Sequence, residues 1–220
     1  MTVSRPSVLL SDPVLSSSSR VAAVSSPYRS ITVFCASADG TELQRSLAAD
    51  VGAAIAAAGH RLVYGGGGVG LMGVVADAAL AGGGEVIGVI PEQLFDREVG
   101  HRGVTELEVV PDMHARKARM ATLGDGFIVL PGGFGTLEEA FEILTWNQLA
   151  LIDAAVVFCA NDGYWQPLID LVDRAVGDGL VKERHRAMVR TAADPVVAVA
   201  MAAAPGPAVA PKWTDIDRRS

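Results

Sequence analysis

The chain has few of the residues that mark several protein classes. Two cysteines, Cys35 and Cys159, stand in 220 residues. Each closes an apolar run, so both read as buried thiols of strands, and neither a disulfide framework nor a zinc site is indicated. Basic residues are outnumbered, 18 Lys and Arg against 25 Asp and Glu, for a formal net charge of −7. That balance argues against nucleic acid as a partner, which needs a basic face, while leaving room for a small basic pocket. The four histidines (His60, His101, His114, His185) are scattered without metal-ligand spacing, so no metal is expected. No stretch of about twenty residues is uniformly apolar, so no membrane span is expected. Near the amino end, Arg5 is followed by Val8-Leu9-Leu10, but Asp12 and Pro13 cut the run short of a signal-peptide core. Cytoplasmic residence is the expectation.

Small apolar residues and glycine are abundant. Half the chain is apolar, only 5% is aromatic, and there are 24 glycines. The length suits one domain with a substantial core, and the composition favours an α/β protein packed through small side chains. Met1–Ser30 is Ser-rich, with Pro6, Pro13 and Pro27, and reads as a mobile leader. The folded domain is expected over 31–203 and a frayed tail over 204–220, with no internal repeat and no linker between two cores.

Apolar runs of buried-strand length recur at Ile31–Cys35, Arg61–Tyr64, Glu85–Ile90, Glu106–Val110, Phe127–Leu130 and Ala155–Phe158. Helical spacing separates them. Leu43, Leu47, Val51 and Ile55 form one stripe, ended by Gly59. Other helices are expected through Leu80, from Asp112 as cap, over Leu137–Leu149, over Trp165–Val176 with Leu168, Leu171 and Val172 on one side, and over Asp194–Ala203. Phe95–Gly103 reads as a surface loop that could serve as a lid. This alternation predicts a single open, mainly parallel, Rossmann-like sheet with helices on both faces.

Two glycine-rich turns follow strands. The first, Gly65–Gly73, contains Gly-x-Gly-x-x-Gly, but it follows the second strand, and no acidic residue ends the next one. A full dinucleotide site is therefore not expected, and a pocket wall or a tight packing turn remains. The second is Leu130-Pro131-Gly132-Gly133-Phe134-Gly135-Thr136-Leu137-Glu138-Glu139. A strand entering a helix through such a turn leaves the first helical N–H groups unpaired, at the positive end of the helix dipole, which makes an anion site. Thr136 could cap the helix or bond a phosphate oxygen. Thr136-x-x-Glu139 is also the sequence of a capping box, yet a cap needs none of Pro131, Gly132, Gly133 and Gly135.

The full string resembles the PGGxGTxxE signature of the LOG ("Lonely Guy") family of cytokinin riboside 5′-monophosphate phosphoribohydrolases, proteins often labelled lysine decarboxylases. Pro131, Gly132, Gly133, Gly135, Thr136 and Glu139 match it. Tyr64–Gly73 is similar to the family's YGGGxxGLMG element. Met113, His114, Arg116 and Lys117 fit its M-H-x-R-K, and Leu144–Ala150 resembles its ITWxQLG segment, with Leu144 for isoleucine and Ala150 for glycine. The first turn departs further: where the family usually has Gly-Ser-Ser, this chain has Ala36-Ser37-Ala38.

The resemblance implies hydrolysis of the N-glycosidic bond of cytokinin riboside 5′-monophosphates, and of AMP, to free base and ribose 5-phosphate, by a homodimer without a cofactor. A carboxylate that lowers the energy of an oxocarbenium-like sugar and activates water is expected at Glu139. Arg116 would stabilise the departing base or fix the phosphate; an arginine stays protonated and is a poor general acid. Phosphate would be held by the backbone of Gly133–Leu137 and by the Thr136 hydroxyl. Gly132, Phe134, Glu92, Lys117, Glu138 and Thr145 are further candidate substrate contacts, while His114 is expected to be structural. Two other activities compete: a carrier resembling molybdenum-cofactor carriers, which would hold a phosphate ligand without cleaving it, and a broad nucleoside-monophosphate hydrolase. A decarboxylase would need pyridoxal phosphate on a lysine, and only Lys117, of Lys117, Lys182 and Lys212, lies near the expected pocket.

Overall fold

The computed structural model describes residues 29–95, 99–208 and 210. The expected leader lies outside them except for its last two residues, as does most of the expected tail. Seven strands form one sheet: β1 (Ser30–Phe34), β2 (Arg61–Tyr64), β3 (Val86–Pro91), β4 (Glu106–Val110), β5 (Gly126–Val129), β6 (Ala155–Cys159) and β7 (Arg190–Ala192). The order is β4-β3-β2-β1-β5-β6-β7, and every neighbouring pair is parallel. The expected sheet was mainly parallel; the observed one is wholly so. Its inner strands are buried on both faces, which is why they read as continuous apolar runs. Edge strand β4 instead carries Glu106 and Glu108, charges that discourage further strand pairing. The seventh strand, three residues long, has no apolar run to announce it.

Helices cover both faces. On one side α1 (Glu42–Ala57), α2 (Gly70–Ala81) and α8 (Pro195–Ala203) pack over Ile31, Val33, Leu62 and Val157. On the other, α4 (Met113–Leu123), α5 (Phe134–Gln148) and α6 (Gln166–Gly177) cover Phe34, Phe127, Val129 and Phe158. Short turns α3 (Glu92–Phe95) and α7 (Glu183–Arg186) complete the described set. Small residues let the helices approach closely: a Cβ on Gly52 of α1 would lie 2.3 Å from the Val75 carbonyl oxygen of α2.

Two predicted apolar stripes need correction. Leu43 and Leu171 are both exposed; α1 buries Leu47, Ala48, Val51 and Ile55, and α6 buries Ile169. The predicted cap at Asp112 is present, accepting from Ala115 N at 2.8 Å. Asp194, predicted as the first residue of the last helix, is instead its cap and accepts from Val197 N at 2.9 Å. Where the tail is described it touches the body, with Arg190 donating to the Pro205 carbonyl at 3.3 Å.

The topology fixes where a ligand can sit. From β1 the chain proceeds outward through β2, β3 and β4, then returns to the other side of β1 for β5. The connections leaving β1 and β5 therefore diverge, opening a crevice at the carboxyl ends of those two strands.

Candidate active site

The crevice is a cavity of about 320 Å³. Cys35–Ala38, following β1, form one wall, and Gly133–Thr136 with Glu139, following β5, form the opposite one. Met72 of α2, Leu94 of α3, and Met113 and Arg116 of α4 close it.

Helix α5 starts at Phe134, three residues before the predicted start, with Gly133 as its N-cap. Thr136 is thus the third helical residue, so the predicted cap and capping box are absent, and its buried side chain lines the cavity instead. The first three N–H groups of a helix have no intrahelical acceptor, which here concerns Phe134, Gly135 and Thr136. Leu137 N–H is not among them: it donates to the Gly133 carbonyl at 3.0 Å. A Cβ on Gly133 or Gly135 would meet nothing within 4 Å, whereas one on Gly132 would come within 2.1 Å of Thr136 Oγ1. Packing within the chain therefore requires glycine at 132 and leaves room at 133 and 135 on the cavity side.

The other glycine turn is built differently. Gly70 opens α2 with φ +61, and a Cβ there would lie 2.2 Å from the Ser37 carbonyl oxygen. The next N–H groups of α2 are taken: Leu71 donates to the Ala38 carbonyl at 3.2 Å and Met72 to Ala36 at 3.3 Å. Gly66 and Gly68 are stitched to the following loop by His101 N–H to the Gly66 carbonyl, 2.9 Å, and Gly68 N–H to the Val99 carbonyl, 2.8 Å. The glycines of this turn are scaffolding and do not line the cavity; its contribution to the wall is Met72. The described end of the predicted lid loop is tied down by the same bonds.

Two ionisable side chains enter the cavity and are almost wholly buried, Arg116 at 5% exposure and Glu139 at 8%. Arg116 Nη2 donates to the Gly65 carbonyl at 2.9 Å, and the sulfurs of Met113 and Met72 each lie 3.8 Å from the guanidinium. Burial of such charges requires compensating partners, and an anionic ligand on the helix terminus would add one. Phe134 stands at the rim, 93% exposed.

Not every predicted contact gathers here. Lys117 bridges α4 to α5 by pairing with Glu138 and, at 3.2 Å, with Glu142. Glu138 first, with Glu142 behind it and against the cost of partial burial, holds the Lys117 ammonium above its ordinary pKa. Neither Lys117 nor Glu138 lines the cavity; their pair instead joins the two helices that carry Arg116 and Glu139. Glu92 is exposed on α3, whose Leu94 is the residue that reaches the cavity. Thr145 donates to the Phe141 carbonyl at 2.7 Å and lines a separate groove with Gln148 and His185. His114 is exposed. Gly132 faces a side cavity of about 200 Å³ that shares Ala36, Ala38 and Gly133 with the main one.

Sequence reading missed Leu94 and Met113 as lining residues, apolar side chains brought in from two separate helices, while Met72 belongs to the Gly65–Gly73 element already read as a pocket wall. It also missed Tyr164, which lines the side cavity and donates from its hydroxyl to the Gly132 carbonyl at 2.8 Å. The available signal was position: Tyr164 follows β6 at the carboxyl edge of the sheet, where ligands bind.

A parallel sheet with a crevice at its switch point, an open helix N-terminus on one wall and a buried carboxylate and guanidinium within defines a Rossmann-like α/β protein with a polar crevice at the carboxyl edge of its sheet. Comparison with known proteins agrees with that class. A family described as "Possible lysine decarboxylase" matches residues 72–201. A cytokinin riboside 5′-monophosphate phosphoribohydrolase of Rhodococcoides fascians is 46% identical over 179 residues, covering 80% of this chain and 90% of that protein. The enzyme of that name designated LOG1 in Arabidopsis thaliana is 41% identical over 170 residues, covering 77% and 80%. The chain belongs to this LOG family. Among solved structures, the molybdenum cofactor carrier protein of Chlamydomonas reinhardtii superposes with a TM-score of 0.58 at 23% identity, over 79% of this chain and 94% of that one, a likeness of fold.

The decarboxylase description does not fit the residues present. Pyridoxal phosphate needs a lysine amine able to lose its proton. Lys117 is held charged between two carboxylates outside the cavity, Lys182 is exposed, and Lys212 lies beyond the described residues.

Proposed function

We propose that this protein hydrolyses the N-glycosidic bond of cytokinin riboside 5′-monophosphates, releasing the free base and ribose 5-phosphate. One observation carries the reading: Glu139, Arg116 and the open first turn of α5 line the same cavity. The 5′-phosphate accepts hydrogen bonds from the N–H groups of Phe134, Gly135 and Thr136 and from the Thr136 hydroxyl. That contact places the sugar one helical turn along α5, beside Glu139. As the C1′–N9 bond lengthens, its electron pair moves to the base and positive charge builds on the sugar. The Glu139 carboxylate stabilises that charge and takes a proton from water as the water oxygen bonds to C1′; the departing base is protonated in turn. Arg116, permanently charged, fixes the phosphate or the electron-rich leaving base.

The apolar wall formed by Ala36, Ala38, Met72, Leu94 and Met113 suits a base held by contact area. Phe141, exposed on α5, supports a homodimer through that helix face. The burial of both cysteines, Cys35 and Cys159, suits a cytoplasmic setting. Among the described residues no helix is long and apolar enough to cross a membrane.

The test is base release from isopentenyladenosine 5′-monophosphate and from AMP, measured side by side. Faster release from the cytokinin nucleotide is expected. Equal rates identify a broad nucleoside-monophosphate hydrolase, and binding without release identifies a carrier.

A further inference from the structure

The phosphate turn is the least self-supporting part of the site. Gly132 and Gly133 have no side chains to anchor them, and glycine pays the largest entropy cost on being fixed. Gly133 adopts φ −89 and ψ −151, and no side chain caps α5 there. Tyr164 reaches the turn from outside.

Tyr164 is itself held from several directions. Its N–H donates to Asp162 Oδ1 at 3.0 Å, and Asp162 Oδ2 accepts from Gln44 Nε2 at 3.3 Å. Gln44 is the reciprocal partner in the Thr41 capping box that starts α1. The Tyr164 ring stands edge-on to Trp165 at 4.9 Å between centroids, and Trp165 is edge-on to Phe158 of β6 at 5.1 Å. The hydroxyl is therefore presented from the β6–α6 connection by a fixed ring, at 2.8 Å from the Gly132 carbonyl.

In a trans peptide the carbonyl and the following N–H lie in one plane and point in opposite directions. Fixing the Gly132 carbonyl toward Tyr164, in the side cavity, therefore turns the Gly133 N–H away from that cavity. Tyr164 lines only the side cavity, whereas Gly133 lines both. We infer that Tyr164 is a positioning residue for phosphate recognition: its hydroxyl orients the Gly132–Gly133 peptide so that the Gly133 N–H joins those of Phe134, Gly135 and Thr136 on the 5′-phosphate. This rests on the proposed nucleotide site and adds to it a fourth donor and the residue that aims it. Tyr164 touches neither the sugar nor the base, so its contribution is confined to ligands carrying the phosphate.

The experiment compares wild-type protein with Tyr164→Phe, which keeps the ring and removes only the hydroxyl. Calorimetric binding of ribose 5-phosphate, AMP and adenosine is measured alongside steady-state base release. For Tyr164→Phe, affinity for ribose 5-phosphate and AMP is expected to fall about three- to tenfold, the effect of one hydrogen bond. Adenosine binding stays unchanged, KM rises by the same factor, and kcat stays within about twofold, the pattern of lost uniform binding. Asp162→Asn, which loosens the Tyr164 connection instead, is the second variant and shifts the same ligands in the same direction. Equal phosphate affinity in folded Tyr164→Phe overturns the inference. So does a loss shared equally by adenosine, or one seen only as lower kcat and melting temperature, since either marks a merely structural tyrosine. If wild type binds ribose 5-phosphate but releases no base, the hydrolase reading fails and the Tyr164 comparison still decides on binding alone. If wild type binds no ribose 5-phosphate, both fail.

Discussion

Gly65 and Arg116 are 51 residues apart, yet Arg116 Nη2 lies 2.9 Å from the Gly65 carbonyl oxygen, and a Cβ on Gly65 would sit 1.9 Å from that same nitrogen. The glycine at 65 leaves the space that the guanidinium occupies. Gly65→Ala is therefore expected to displace Arg116, a flexible side chain that can yield, more than it disturbs the strand. Base release should fall at least about tenfold, as expected for a misplaced catalytic-site group, with the circular dichroism spectrum unchanged. Normal turnover in a folded Gly65→Ala protein would show that the position of Arg116 is immaterial.

Glu139→Gln removes the proposed proton acceptor and keeps the size. A loss in kcat of about 10²- to 10⁴-fold is expected, the range for a general base. AMP binding should persist, since the proposed phosphate donors lie earlier on α5. Arg116→Ala should impair turnover as severely. Retained activity in either folded variant would remove that residue from the mechanism.

Ala150 sits at φ +53 in the turn that ends α5. Its N–H bonds the Asn147 carbonyl and Leu151 N–H bonds the Trp146 carbonyl, both at 2.9 Å, the paired bonds of a Schellman motif whose left-handed position favours glycine. Ala150→Gly removes the Cβ strain while loosening the unfolded chain, for a net gain of about 0.5–1 kcal/mol. A rise in melting temperature of about 1–4 °C follows for a chain this long. A lower melting temperature would contradict this account.

Glu108 of β4 accepts two hydrogen bonds from Arg119 of α4, each 2.7 Å. Hydrogen bonding to Arg119 holds the Glu108 carboxyl below its ordinary pKa, against a smaller opposing effect of burial. A carboxyl lowered in the folded state contributes stability above its unfolded pKa, about 4.3 for Glu, and loses it as pH falls through the folded value. Glu108→Gln should therefore cost up to about 1 kcal/mol at pH 7, Arg119 being partly exposed. The difference from wild type should shrink on acidification below pH about 4. Denaturant titrations at pH 7 and pH 3.5 check this; a constant difference would exclude the ionised pair as its source.

Much of the fold was legible because its sheet is buried on both faces. Strands such as β3, Val-Ile-Gly-Val-Ile-Pro, are uninterrupted apolar runs. The start of α5 was misjudged because Phe134-Gly135 has poor helix propensity and Thr136-x-x-Glu139 imitates a cap. The N-cap is Gly133, chosen by the geometry of the turn. Lys117 and Glu138 read as ligand contacts because charges beside a motif are ambiguous until their distance to each other is known.

Periodicity, the parallel α/β class and the strand–glycine–helix turn at Leu130–Glu139 were determined by the sequence alone, since each depends on residues close together in the chain. The tertiary structure decided which of the two glycine turns is open. The N–H groups beginning α2 are consumed by the carbonyls of Ala36 and Ala38, while Phe134, Gly135 and Thr136 of α5 face the cavity. It also decided that Arg116 enters the cavity beside Glu139, that Lys117 pairs outside it, and that Tyr164 reaches Gly132. The reason is physical: whether a donor is occupied, and what a side chain touches, depends on segments far apart in sequence that only the folded sheet brings together.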